Sequence, residues 1–267
     1  MDEAASDEIR TVAKSYAPDF YLSALLAPRA RQPHLIALAA FLGDIERIVA
    51  TIQEPAIAEI RLQWWRDTIA AAERGDKSGH PVADALGLAV RAHGLPFAEF
   101  DGLLDARALD LYADPVPDDA TFKAYLNKAD GAAFRLAARC AGSPRWGVSV
   151  VLHASRGYGI TRLIRNLPMF LARGRAPFPG FDASLASLIQ PQLETWRQQA
   201  RERIVLARAV WRQSPREERL ACLPIAVVEP YLRASERPGH DPATALTDIQ
   251  PLTRMWRIWQ AHALGRF

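Results

Sequence analysis

FYLSALLAPRARQPHLIALAAFLGDIERIVATIQEPAIAEIRLQWWR, residues 20–66, is the stretch on which the fold turns. Prolines divide it. A short helix over 20–26 stops ahead of Pro28, and Pro33 then sits in the first turn of a long apolar helix over 34–52, where a missing N–H is tolerated. Pro55 opens the next helix, which carries Ile57, Ile60, Leu62, Trp64, Trp65 and Ile69 and runs out near Gly75. Apolar residues recur at the helical period, and strand-like alternation is scarce. Working outward, the same signals predict helices over 6–16, 81–93, 96–112, 144–169, 185–213, 215–233 and 247–264. Another runs from a cap at Asp118 or Asp119 to Cys140, with Gly142 beyond its end. The longest unstructured connection is the Gly- and Pro-rich loop 172–184. There is no repeat and no break in composition, so the expectation is one all-α domain, a helical bundle spanning 1–267.

The chain has 267 residues, 49% of them hydrophobic and 24% charged, with a net charge of +3. That is globular composition with ample material for a core. Lys14, Lys77, Lys123 and Lys128 are the lysines, leaving 29 of the 33 basic residues as arginine. A guanidinium grips oxyanions with two parallel hydrogen bonds, so some of these arginines are candidates for phosphate contacts. Nucleic acid is not an expected partner, because no lysine-rich run or aromatic-interleaved basic patch is present. Cys140 and Cys222 are too few and too far apart for a disulfide framework or a zinc site, which fits a reducing compartment. Residues 1–10 are acidic and lack the apolar region of a signal peptide. No window approaches 18 uninterrupted apolar residues, so no membrane span is expected. The six histidines are scattered without i,i+4 pairing, and neither a Ser-His-Asp arrangement nor a glycine-rich phosphate loop is visible. Trp196, Trp211, Trp256 and Trp259 sit at helical spacing, suited to core or interface packing.

Three segments carry polar residues on otherwise apolar helices: 20–66 itself, YLNKADGAAFRLAARCAG at 125–142, and GITRLIRNLPMFLARGRAPFP at 159–179. Asp44 and Arg47, at i,i+3, are spaced to pair, which would leave Glu46 and Asn166 facing solvent. Taken in order, the segments resemble the squalene/phytoene synthases, which join two prenyl diphosphates head to head. The resemblance rests on Phe20-Tyr21 through Pro28-Arg29-Ala30-Arg31, on Ala37-Leu38-Ala39-Ala40-Phe41, and on Leu62-Gln63-Trp64-Trp65-Arg66. Further along it rests on Tyr125 with Ala129-Asp130-Gly131, on Ile160 through Asn166, and on Gly174-Arg175 leading to Pro179. It covers about residues 18–234. It implies an isoprenoid-synthase-type bundle around a central apolar cavity, a prenyl diphosphate ligand and Mg2+.

The departures fall on the metal ligands. The family holds magnesium with aspartate-rich helices on either side of the cavity, and i,i+4 spacing keeps paired carboxylates on one face. Magnesium takes oxygen ligands in octahedral geometry and bridges them to substrate phosphates. At the matching positions this chain has Glu46, Arg47 and Ala50 in one helix and Asn166 and Phe170 in the other, so Glu46 is the only carboxylate left. A cation at Arg47 repels a metal. Asp44 and Asp130 are the nearest substitutes, although neither occupies a ligand position of the family.

Two readings follow from the resemblance. In the first, the chain is a non-catalytic relative that binds a prenyl lipid or a protein partner. An aspartate-poor branch of the family, which includes the mitochondrial assembly factor for respiratory complex I, has an element similar to Arg61-Leu62-Gln63-Trp64-Trp65. That implies a bacterial relative with a membrane-complex subunit as partner, cytoplasmic or peripheral at the inner membrane, and with no cofactor. In the second, it is an active Mg2+-dependent synthase condensing farnesyl or geranylgeranyl diphosphate. Glu46, Asp44 and Asn166 would then hold the metal, Arg29, Arg66, Arg165 and Arg175 the substrate diphosphate, and Tyr125 would assist carbocation chemistry.

Overall fold

A computed structural model describes residues 3–144, 149–182 and 189–267. Among these residues every regular element is a helix. The first group is α1 (Glu3–Tyr16), α2 (Pro18–Leu25), α3 (Gln32–Thr51), α4 (Pro55–Glu73), α5 (Pro81–His93) and α6 (Phe97–Ala108). A 3-10 turn at Leu109–Leu111 follows, then α7 (Asp119–Leu126), a π-helical turn (Asn127–Gly131) and α8 (Ala132–Ala141). The second half holds α9 (Ser149–Arg165), α10 (Leu167–Ala172), α11 (Ile189–Trp211), α12 (Arg216–Ala221), a 3-10 segment (Leu223–Val227), α13 (Val228–Ser235) and α14 (Pro251–Leu264).

The prolines act as their positions require. Pro33, Pro55, Pro81 and Pro251 lie in the first turns of α3, α4, α5 and α14. Asp118 caps α7, its side chain accepting from the Thr121 N–H at 2.7 Å. Gly142 closes α8 in the left-handed conformation at φ 106°, where a Cβ would be strained. Where a proline falls inside an apolar pattern, the expected long helix divides. Pro168 separates α9 from α10 at Asn166, and Pro224 divides 215–233 into α12, a 3-10 segment and α13. A proline lacks the N–H and clashes with the preceding turn, so each break is local backbone chemistry. The expected helix start at Leu185 and the first turn after Pro144 lie outside the described residues.

Helix α3 is buried along nearly its whole length, from Leu35 to Val49. It packs on α1, α2, α5 and α8. Helix α9, buried from Ala154 to Ile164, packs on α11, α13 and the π turn. One continuous apolar core runs from Ile9 to Phe267. Glu46 on α3 and Asn166 at the end of α9 face each other across the middle of this bundle. No helix is long and apolar enough to cross a membrane among the described residues.

Candidate functional site

Each oxygen of the Glu46 carboxylate accepts a hydrogen bond from another side chain. Asn166 Nδ2 donates to its Oε1 at 2.7 Å, and Arg107 Nη2, from α6, donates to its Oε2 at 2.6 Å. Arg107 Nη1 lies 2.8 Å from Asp110 Oδ2, and Asp110 is itself completely buried. The hydroxyl of Tyr125 donates to Asp110 at 3.0 Å. Arg162, one turn before Asn166 on α9, grips Asp130 with Nε and Nη2, both at 3.0 Å, and Nη2 also donates to Tyr125 at 2.9 Å. Arg175, in the loop after α10, sets Nη2 3.6 Å from Asp110 and donates Nη1 to the Leu109 carbonyl. The chain Glu46–Arg107–Asp110–Tyr125–Arg162–Asp130 thus joins α3, α6, α7, the π turn and α9 through charge-assisted bonds.

Electrostatics follows the geometry. Burial pushes the Glu46 carboxyl up, but Arg107, Arg162 and Arg165, with Asn166, outweigh it and hold the group below the usual carboxylate range. Glu46 is therefore ionised at neutral pH. Burial pushes the Tyr125 phenol up to about 12, with Arg162 opposing and Asp110 reinforcing. It remains a hydroxyl, able to donate to Asp110 and to accept from Arg162.

A second buried carboxylate, Asp19 on α2, forms its own centre. It accepts from the Tyr158 hydroxyl at 2.9 Å and lies 2.9 Å from Arg254 Nε of α14 and 3.5 Å from Arg165 Nη1. The Arg165 guanidinium also stacks on the Tyr231 ring at 3.8 Å.

The residues singled out in the sequence are thus distributed unevenly. Glu46, Asn166, Tyr125 and Arg175 belong to the first network, and Arg165 stands beside it on Asp19. Asp44 does not join Glu46. Two residues apart on a helix is about 200° of rotation, and Asp44 accepts from Trp65 Nε1 at 2.9 Å and pairs with Arg47. Arg66 lies outside the cavity, donating to Asp101 and, at 2.6 Å, to Asp105. Arg29 is exposed in the turn between α2 and α3. Sequence reasoning passed over Arg107, Asp110, Arg162 and Asp19. The signal was present: Leu103, Arg107 and Asp110 share one helical stripe at i, i+4, i+7, and Tyr158, Arg162 and Arg165 share another.

The donor set does not fit magnesium. Both oxygens of Glu46 are taken, Asp110 and Asp130 are each bound to guanidinium groups, and no group of three His, Cys, Asp or Glu side chains arranged for a metal exists among the described residues. Octahedral Mg2+ needs free carboxylate oxygens and room for its waters. Here Arg107 and Arg162 supply the compensating positive charge. The cavity beside this network, between Phe20, Leu42, Leu103, Tyr158, Arg107 and Arg162, is about 140 Å³, well below the roughly 300 Å³ at which small-molecule sites begin.

Residues 13–257 match the family described as squalene/phytoene synthase. The presqualene diphosphate synthase of Rhodopseudomonas palustris is 29% identical over 164 residues, 60% of this chain. The match spans only 57% of that relative's length. Among solved structures, a dehydrosqualene synthase in complex with ligand superimposes with a TM-score of 0.73 at 12% identity, covering 97% of this chain and 95% of its own. The squalene synthase HpnC from Alicyclobacillus acidocaldarius gives 0.70 at 17% identity, over 88% and 94%. At such identities the likeness establishes the fold.

Proposed function

The chain belongs to the squalene/phytoene synthase family, and from that premise we propose that it is a binding member which does not ionise prenyl diphosphates. The observation that supports this reading is that both oxygens of Glu46 are held by the protein's own side chains, Arg107 and Asn166. A diphosphate brings several negative charges, and a synthase site must answer them with metal ions. Here Glu46 and Asn166, two of the residues at the metal positions, are hydrogen-bonded to each other. The walls beside them, Phe20, Leu42, Ile45 and Leu103, have the apolar character that an isoprenoid chain requires. The arginines nearby suit a weakly anionic end group. A membrane-complex subunit as partner rests on the likeness of residues 61–65 alone; its test is co-purification of such a subunit with the tagged chain.

Incubation with farnesyl or geranylgeranyl diphosphate and Mg2+ separates binding from catalysis. The expected result is no pyrophosphate release above the protein-free rate. The 29% identity to a presqualene diphosphate synthase favours the second reading, an active synthase in which Arg165 and Arg175 hold diphosphate and Tyr125 assists the cation. Pyrophosphate release at a rate that falls on Glu46→Ala would establish that reading instead.

A further inference from the structure

The outward face of α14 is apolar. At 100° per residue, Arg254, Ile258 and Ala261 point to one side and are buried. Leu252, Met255, Trp256 and Trp259 point to the opposite side and are 72%, 52%, 57% and 44% exposed. A surface helix normally presents polar residues there. The Trp256 and Trp259 rings stack, with centroids 5.1 Å apart and planes 27° apart. The helix has no acidic residue, and its ionisable side chains are Arg254, Arg257 and His262.

At the C-terminal end of this helix lies a cavity of about 390 Å³, apart from the Glu46 network. Arg212, Arg216, Arg219 and His262 line it together with leucines, and among the described residues no acidic side chain does. Trp211, 2% exposed, also lines it, and its indole N–H has no hydrogen-bond partner; neither does the buried Nε of Arg219. Buried donors are ordinarily paired, and these two, beside three guanidinium groups and apolar surface, make a lining chemically suited to an oxyanion.

We propose that α14 docks on an anionic phospholipid surface. The Trp256–Trp259 face enters the interfacial layer, and the Arg212–Arg216–Arg219 cavity takes a lipid phosphate. Indole rings, with an apolar body and one N–H, favour the boundary between acyl chains and head groups. A helix without acidic residues, beside a cavity with cationic lining, complements anionic lipid better than it complements a second copy bearing the same charges.

The test is flotation of the full chain with vesicles of phosphatidylcholine alone or mixed with phosphatidylglycerol, without isoprenoid or Mg2+, so that its outcome is independent of the Glu46 site. The chain should float with the anionic vesicles at low salt and be released as ionic strength rises. Trp256→Ser with Trp259→Ser should lower partitioning about tenfold or more. Arg212→Gln with Arg216→Gln should lower it for anionic vesicles only. Circular dichroism verifies that these exposed changes leave the helices intact. Failure to float with either vesicle, or equal flotation of the tryptophan variant, overturns the proposal. So does a lipid-free dimer that the tryptophan changes dissociate, which would make the face a self-contact. Thermal stabilisation by inorganic phosphate without vesicle binding would assign the cavity to a free anion and overturn the lipid assignment.

Discussion

Arg162 is the side chain on which the central network depends. It compensates Asp130 directly and lies 3.8 Å from Asp110. Arg162→Met leaves the buried carboxylate of Asp130 unpaired and should cost about 3–5 kcal/mol, read as a lower denaturant midpoint. Arg162→Met with Asp130→Leu, which removes both charges, should lose less. Protonation of Glu46 acts in the same direction. Its folded pKa lies below the unfolded value of about 4.3, so its contribution is complete above that value and disappears as pH falls through the folded pKa. Glu46→Gln should flatten the acid limb of the stability curve. A second titration sits at the far side of α3. His93 Nδ1 lies 2.9 Å from Arg31 Nη1, and its Nε2 lies 2.6 Å from His34 Nδ1. With Arg31 donating to Nδ1, the neutral ring donates Nε2–H to His34. Burial, then His34, Arg31 and Arg139, lower the pKa of His93 from 6.5 to about 4. Between those values the unfolded chain takes up the proton first, so stability falls as pH drops from 6.5 toward 4. Melting temperatures at pH 7 and pH 5 should differ less for His93→Gln. At this scale the ordered motifs singled out Glu46 and Asn166, but the local pattern left both facing solvent, whereas they are hydrogen-bonded to each other. Nor did the sequence disclose that Arg107, sixty-one residues on, would occupy the carboxylate, since that meeting depends on how α6 crosses α3.

The π turn between α7 and α8 shows the same limit for an element. Asn127–Gly131 reads as uninterrupted helix in the sequence, and the wider turn exists only in the fold, where Asp130 is directed at Arg162. Such turns are frequent at functional centres. Helix α9 accommodates the bulge through Gly159: a Cβ there would fall 2.5 Å from Asp130 Oδ2 and 2.8 Å from Leu126 Cδ2. Gly159→Ala should therefore destabilise by about 1–3 kcal/mol despite alanine's better helix propensity. An unchanged midpoint in chemical denaturation would show that the π turn can move aside. Helix boundaries were more legible, since Pro33, Pro55, Pro81 and Gly142 act through local backbone chemistry that any observer of the sequence can apply.

For the molecule as a whole, the ordered motifs were sufficient to indicate an all-helical bundle, because periodicity and punctuation survive divergence that erases individual ligands. The continuous core from Ile9 to Phe267 leads to the expectation of one cooperative unfolding transition, with coincident loss of helical signal and tryptophan fluorescence. Two separated transitions would indicate independent halves. The order in which the chain is made bears on how that core closes. Asp19 meets the Tyr231 hydroxyl 212 residues later, and Arg254 later still. At roughly 5–20 residues per second, the ribosome needs on the order of 10–40 s to cover that interval. Until Tyr158, 139 residues on, is made, α2 carries a carboxylate with no native partner, and its full set of partners is complete only when Arg254 arrives. Completion of the fold is thus a C-terminal event, and a nascent chain halted before Pro251 would expose the segment around Asp19 to chaperones and proteases.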